Sequence, residues 1–241
     1  MNKGILISCR TNSKRLPNKC LLSINDKPSI YYIIENLNKS KYKNNLILCT
    51  TNLKSDDALV ELARKKYIKI FRGSSEDKLK RWDDCCKTFD LDFFVNVDGD
   101  DLFFDYELAD EILDKYYEYD FVDGHGLYID AYGVDRNYLN KIVTTKSTNK
   151  TDYVRTFLLS TDSKNILDLK TVIDKKYFKK KIRMTLDYKE DLYFFENVIK
   201  NVNDLSYDNI LNYIDKNPIV SEINYYLDNI WQENQKKEFN L

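Results

Sequence analysis

Four short apolar runs alternate with helix-period segments across roughly the first hundred residues, and this alternation constrains the fold more than any other feature. Gly4–Cys9, Asn45–Thr50, Ile68–Phe71 and Leu91–Val97 read as strands. Leu91–Val97 is apolar on both faces, as expected of a central strand covered by helices on either side. Lys27–Asn38, Asp56–Lys66 and Asp77–Phe89 show helical spacing, and Pro28 suits a first helical turn, where a missing amide donor costs nothing. The expectation is an α/β sheet.

Later segments are less regular. Asp120–Asp135 carries Gly124, Gly126 and Gly133 and is expected to turn away from the main sheet. Lys164–Lys181 is strongly basic and reads as solvated surface, with one strand at Ile166–Leu169. Ile182–Leu186 reads as a strand delivering Asp187, followed by a helix over Glu190–Ile199. Residues 200–241 read as a helical extension of a single domain spanning 1–241, since no repeat or Pro/Gly/Ser-rich linker interrupts the chain.

Composition narrows the function. With 241 residues, 43% of them hydrophobic, the chain can bury a substantial core, which excludes disordered and fibrous architectures. The 38 basic and 39 acidic side chains leave a net charge of -1, without the basic excess of a dedicated nucleic-acid binder. No run is long enough to insert in a membrane, and Arg10 cuts off Ile5-Leu6-Ile7 before a secretion signal could form, so a cytoplasmic protein is expected. The five cysteines are odd in number and lack a Cys-x-x-Cys pair, so they read as small buried hydrophobes. His125 is the only histidine, which excludes a multi-histidine metal site and leaves the chemistry to carboxylates, lysines, arginines and main-chain amides.

In open α/β sheets, ligands bind beyond the carboxyl ends of the strands. The segment Arg10–Lys19 follows the first strand with Arg10, Lys14, Arg15 and Lys19, fixed positive charge suited to a triphosphate. The alternative is an ordinary charged loop. Asp98-Gly99-Asp100-Asp101 ends an apolar strand and offers oxygen ligands to a hard cation such as Mg²⁺, or else a capping turn before a helix near Asp105. Asp187 is either a helix N-cap or, if its strand lies beside the one ending at Asp98, a second grip on the cation held by Asp100.

These residues resemble the cytidylyltransferase family of the CMP-Kdo synthetase and SpsF-like type. Arg10-x-x-Ser13-x-Arg15-Leu16-Pro17-Asn18-Lys19 is similar to that family's Arg-x-x-Ser-x-Arg-Leu-Pro-Gly-Lys loop, with Asn18, which tolerates left-handed backbone, replacing glycine. Lys27-Pro28 is similar to its Gly-Lys-Pro helix start, with Asp26 in place of glycine, and Phe71-Arg72-Gly73-Ser74-Ser75-Glu76-Asp77 to its Phe-Arg-Gly-Ser-x-x-Asp segment. Asp100 matches the aspartate of Gly-Asp-Cys-Pro, and Leu186-Asp187-Tyr188-x-Glu190-Asp191-Leu192 resembles Val-Asp-x-Pro-Glu-Asp-Leu. Two departures, Asp101-Leu102 for Cys-Pro and Asp152-Tyr153-Val154 for Glu-His-Val, bear on the acceptor and less on the base.

The resemblance implies a three-layer Rossmann-like fold of the nucleotide-diphospho-sugar transferase (GT-A-like) kind, with a mostly parallel mixed sheet. It implies a CTP-dependent nucleotidyltransferase that passes CMP to a sugar acid, a sugar or polyol phosphate, or a phosphonate, releasing pyrophosphate for surface glycan or glycoconjugate synthesis. Arg10, Lys19 and Asp100 are the implied catalytic residues, Asp100 and Asp187 the implied Mg²⁺ ligands. Ser8, Cys9, Arg10, Ser13, Arg15, Lys19, Arg72, Gly73, Ser74 and Asp98 are implied to hold the nucleotide. CTP and a small-molecule acceptor are the partners, and the Kdo-type relatives suggest a homodimer. No base stands out in the sequence, which points to an acceptor that is already ionised. The rival is a metal-dependent GT-A-type glycosyltransferase using a nucleotide sugar through Asp98-Gly99-Asp100.

Overall fold

The computed structural model of the protein describes residues 1–160, 163, 165–178 and 181–239; Lys164, Lys179 and Lys180 of the basic segment lie outside them, as does Leu241. In chain order, β1 (Lys3–Ser8) leads through a small hairpin, β2 (Ser23–Ile24) and β3 (Lys27–Pro28), to α1 (Ser29–Leu37). Then come β4 (Leu46–Thr51), α2 (Asp57–Lys65), β5 (Lys69–Gly73), α3 (Lys78–Phe89), β6 (Phe93–Asp98) and α4 (Tyr106–Lys115). After these follow β7 (Phe121–Gly124), β8 (Ala131–Asp135), α5 (Arg136–Thr145), α6 (Val154–Leu159) and β9 (Ile166–Asp168). The remaining helices are α7 (Lys189–Asn201), α8 (Tyr207–Lys216), α9 (Ile219–Glu222) and α10 (Leu227–Phe239).

Seven strands form one mixed sheet in the order β5-β4-β1-β6-β8-β7-β9, parallel except where β8 pairs with β6 and β7. Alternate residues of each central strand feed opposite cores. Ile5 and Ile7 of β1 join Leu48, Val95 and Val97 in a cluster covered by α1, α2, α4 and α7, while Leu6 joins Ile47 and Phe94 in one covered by α3, α5 and α6. Two apolar faces demand two helical layers, which is why the strands lack the polar alternation of a half-exposed sheet.

The first half thus follows the sequence expectation, with strand and helix ends shifted by at most two residues. Pro28 differs. It precedes α1 with extended backbone at φ -63° and ψ 144°, paired with Ser23 in the hairpin, so its missing N–H is spared by an edge position and not by a helical turn. Asp77, Asp105 and Asp135 are side-chain caps, accepting from the backbone N–H of Lys80, Glu107 and Tyr138.

Three other expectations are corrected. Asp120–Asp135 does not leave the sheet: it supplies β7 and β8, and its glycines permit close approach. A Cβ on Gly133 would lie 2.8 Å from Ile112 Cγ2 and 2.9 Å from Phe93 Cζ, and one on Gly124 would lie 2.4 Å from the Ala131 carbonyl oxygen. Ile182–Leu186 is not a strand; it runs as irregular backbone tied to the sheet's edge loop by the Leu186 amide, which donates to the Asp100 carbonyl at 2.9 Å. The basic segment is only partly solvated, because Leu169, Ile173 and Tyr177 are buried under β7 and the helices. Among the described residues no helix is long and apolar enough to cross a membrane.

Replacing Gly133 by alanine forces a methyl into two buried side chains, and we expect a loss of about 1–3 kcal/mol in urea unfolding.

Candidate active site

Because β1, β4, β5 and β6 run parallel, their carboxyl ends at Ser8, Thr51, Gly73 and Asp98 share one edge of the sheet, where the following loops converge. The loop after β1 is pinned by a residue the sequence reading passed over. Asp56, buried just before α2, accepts from the Thr11 amide at 2.8 Å and hydroxyl at 2.7 Å, from the Thr50 hydroxyl at 3.0 Å, and from the Thr51 amide and hydroxyl. Burial alone would raise its pKa; the bonds from Thr11, Thr51 and Thr50 outweigh that and hold it below the ordinary value. Asn18 adopts φ 57° and ψ 24°, the left-handed conformation that glycine would otherwise supply, and so directs the chain into the short 3₁₀ turn Lys19–Leu21.

That turn delivers Lys19 to the centre of the crevice. Its ammonium bonds one carboxylate oxygen of Asp100 and, at 2.8 Å, Oδ1 of Asp187; Arg15 donates to the same Oδ1 at 2.8 Å. Residues more than 80 and more than 160 positions apart in sequence thus meet at one cation. Burial disfavours the charged ammonium, but Asp100 and Asp187 reverse that and keep Lys19 protonated. For Asp187 the burial penalty is likewise overcome, by Lys19 and then Arg15, so its carboxyl stays well below the usual range.

Asp187 is not the cap of α7. The Asp187 and Tyr188 amides instead donate to Asp191, at 2.8 and 2.9 Å, and Arg183 is shared among Asp187 (3.3 Å), Asp191 (3.0 Å) and Asp228 (3.6 Å). Asn224 completes the lock, donating to the Arg183 carbonyl at 3.1 Å and to Asp191 at 2.9 Å. The C-terminal helices therefore hold the carboxylate that Lys19 meets.

Asp98, Asp100 and Asp101 present carboxylate oxygens that all lie within 4.8 Å of one another, the only such acidic group found among the described residues. Burial, then the charges of Asp100, Asp98 and Asp130, push the Asp101 carboxyl well above its ordinary value. A divalent cation relieves that crowding, and an all-oxygen donor set is the one Mg²⁺ prefers, so these residues, with Asp187 across Lys19, fit the ion that the sequence implied.

Other expected site residues are placed differently. Arg10 spends its guanidinium on the Ser75 carbonyl and Asp152, both at 3.0 Å. Arg72 ties the Thr51 and Leu53 carbonyls and Asp57, clamping the β4–α2 loop. The Ser8 hydroxyl lies between Asn96 and the Trp82 indole N–H, and its carbonyl takes the Gly99 amide at 2.8 Å. Cys9 is packed where a Cβ on Gly99 would come within 2.6 Å of its sulfur. The Ser13 hydroxyl faces the Leu16 amide at 3.5 Å, and Ser74 accepts from the Asp77 amide at 3.0 Å. The Gly73 carbonyl takes the Asn52 amide at 2.9 Å. Asp98 is bonded by Lys78 at 2.6 Å, a cation the sequence reading missed although it opens the helix after the Phe-Arg-Gly-Ser segment.

Asp98, Asp100, Asp101 and Asp187 open onto a cavity of about 630 Å³, large enough for a small molecule, whose lining also carries His125, Asp130, Tyr132 and Arg155. His125 bears the one imidazole in the chain, and its solitude was the available signal.

The sequence pattern of the family described as Cytidylyltransferase matches residues 5–197. The chain is 28% identical over 232 residues to an uncharacterized protein of Methanocaldococcus jannaschii, covering 91% of this chain and 93% of that one. It is 26% identical over 117 residues to the spore coat polysaccharide biosynthesis protein SpsF of Bacillus subtilis, covering 47% of this chain and 49% of that one. A solved cytidylyltransferase structure from Leptospira borgpetersenii superposes with a TM-score of 0.82 at 26% identity, over 91% of this chain and 96% of that one.

Replacing Asp56 by asparagine removes the charge that gathers three threonines, and we expect a loss of about 2–4 kcal/mol in denaturant unfolding at neutral pH. Since the folded pKa of Asp56 is depressed, its contribution is present at neutral pH and fades as pH falls below about 4, so the gap between wild type and variant should narrow there.

Proposed function

We propose that this chain, which belongs to the cytidylyltransferase family, transfers CMP from CTP to a small-molecule acceptor, releasing pyrophosphate. Family membership sets aside the nucleotide-sugar glycosyltransferase reading of Asp98-Gly99-Asp100. The acceptor class is a sugar acid, a sugar or polyol phosphate, or a phosphonate, and the product serves surface glycan or glycoconjugate synthesis, a setting supported by the name of the SpsF relative. A cytoplasmic location is supported by five cysteines that are all free and buried.

One observation carries the reading: the Lys19 ammonium bonded at once to Asp100 and Asp187. A cation buried between two carboxylates beside two further aspartates is arranged to exchange partners when a metal-bound polyanion arrives. Lys19 and Arg15 then take triphosphate oxygens, Arg10 adds charge at the mouth, and the strand ends at Ser8–Cys9 and Arg72–Ser74 frame the nucleoside. Asp100 and Asp187, with Asp98 and Asp101 adjacent, would hold Mg²⁺, which when bound neutralises charge on the phosphates. What remains for the protein is orientation and preorganised charge, the dominant contributions in this chemistry.

In a screen of four nucleoside triphosphates against sugar acids, phosphates and phosphonates, CTP should give the highest pyrophosphate release. Asp100→Asn and Lys19→Ala should each lower turnover by about 10²–10³-fold with an unchanged circular dichroism spectrum. Undiminished release by either variant would remove the role given to that residue.

A further inference from the structure

We propose that His125, held through Nδ1 by Asp130, is the base that removes the acceptor's proton, and that the acceptor attacks through a hydroxyl and not through a phosphate oxygen. The inference rests on the nucleotidyl-transfer reading above.

The dyad is built. His125 follows β7, its amide donating to Asp123 at 3.1 Å, and Gly126 at φ 83° turns the chain so that its own amide reaches Asp130 Oδ1 at 3.0 Å. Asp130 Oδ2 then meets His125 Nδ1 at 2.8 Å and accepts from the Tyr132 hydroxyl at 3.0 Å. Burial would raise the Asp130 carboxyl, but His125, Gly126 and Tyr132 hold it low. An ionised carboxylate only accepts, so Nδ1 carries the hydrogen of this bond, and the tautomer that bond favours has its lone pair at Nε2. The imidazole is 40% exposed and lines the same cavity as Asp98, Asp100 and Asp101; the charge of Asp130 is felt at Asp101.

The dyad bears on the nucleophile. The cavity lining holds seven aspartates and four arginines and lysines, and Lys19 and Arg10 pair with Asp100, Asp187 and Asp152 of that lining. Each of those four already has a carboxylate partner: Arg15 with Asp187, Lys78 with Asp98, Arg155 with Asp123, and Arg183 with Asp191. An ionised phosphate or phosphonate oxygen attacks without a base, so a histidine held by a carboxylate in this cavity serves an acceptor of the other kind. A hydroxyl, however, needs a base.

The step balances. As the acceptor oxygen bonds the α-phosphorus of CTP, its proton passes to Nε2, the bridging P–O bond breaks, and its electron pair leaves on pyrophosphate. Asp130 stabilises the resulting imidazolium. The charged and titratable groups around the ring are Asp123 from β7, Asp130 just before β8, Tyr132 from β8, Arg155 from α6, Lys170 beside Gly126, and Asp98 and Asp101 of the same cavity.

The test uses full-length wild type, His125→Asn, whose amide can keep the bond to Asp130, His125→Gln as a second replacement, and Asp130→Asn. Pyrophosphate release with CTP is followed across pH on sugar acids, sugar phosphates and phosphonates, and CTP binding is followed by calorimetry. We expect both His125 variants to bind CTP within about threefold of wild type yet lose about 10²–10⁴-fold in kcat, with the acid limb of the wild-type pH profile absent. Asp130→Asn should keep an acid limb, displaced, and only acceptors attacking through a hydroxyl should turn over. A His125 variant within threefold of wild type, an unchanged acid limb, or turnover through a phosphate oxygen would overturn the role of His125 alone. Wild-type protein inert with every acceptor would overturn the reaction itself.

Discussion

The site depends on one ammonium group. Lys19 lies between Asp100 and Asp187, and without it a buried carboxylate would face a partly buried one at a cost of several kcal/mol. That repulsion explains much of the architecture nearby: Arg15 and Arg183 flank Asp187, and Lys78 sits on Asp98. In the reaction proposed above, these cations are the groups that would exchange carboxylate oxygens for phosphate oxygens, and their positions are set beforehand by the same ion pairs.

Two devices hold the ammonium in position, and both are backbone economies. Asp56 gathers the amides and hydroxyls of Thr11 and Thr51, fixing the loop after β1 to the end of β4. Asn18 turns left-handed where the chain must reverse into Lys19. Neither residue touches the carboxylates, yet both decide where Lys19 points.

What the sequence revealed follows from the range of the interactions involved. The first sheet half was legible because its central strands are apolar on both faces, a local property, and the Arg10–Lys19 loop because its four cations fall within ten residues. Asp187 was legible as a candidate but not in its delivery. Its segment is no strand, and the Leu186 amide on the Asp100 loop together with the Arg183, Asp191 and Asn224 bonds sets its place, leaving no periodic trace. β7 and β8 were hidden because Gly124 and Gly133 read as breakers, whereas they serve tight contact with Ala131, Ile112 and Phe93. Asp56 and His125 were missed because each draws its meaning from partners brought by another strand end or by the return of β8.

Behind the crevice, Arg183 serves Asp187, Asp191 and Asp228, one cation among three carboxylates with almost no access to water. Added salt should therefore weaken the attraction of any cation to the open aspartates Asp98 and Asp100 more than it weakens this buried lock.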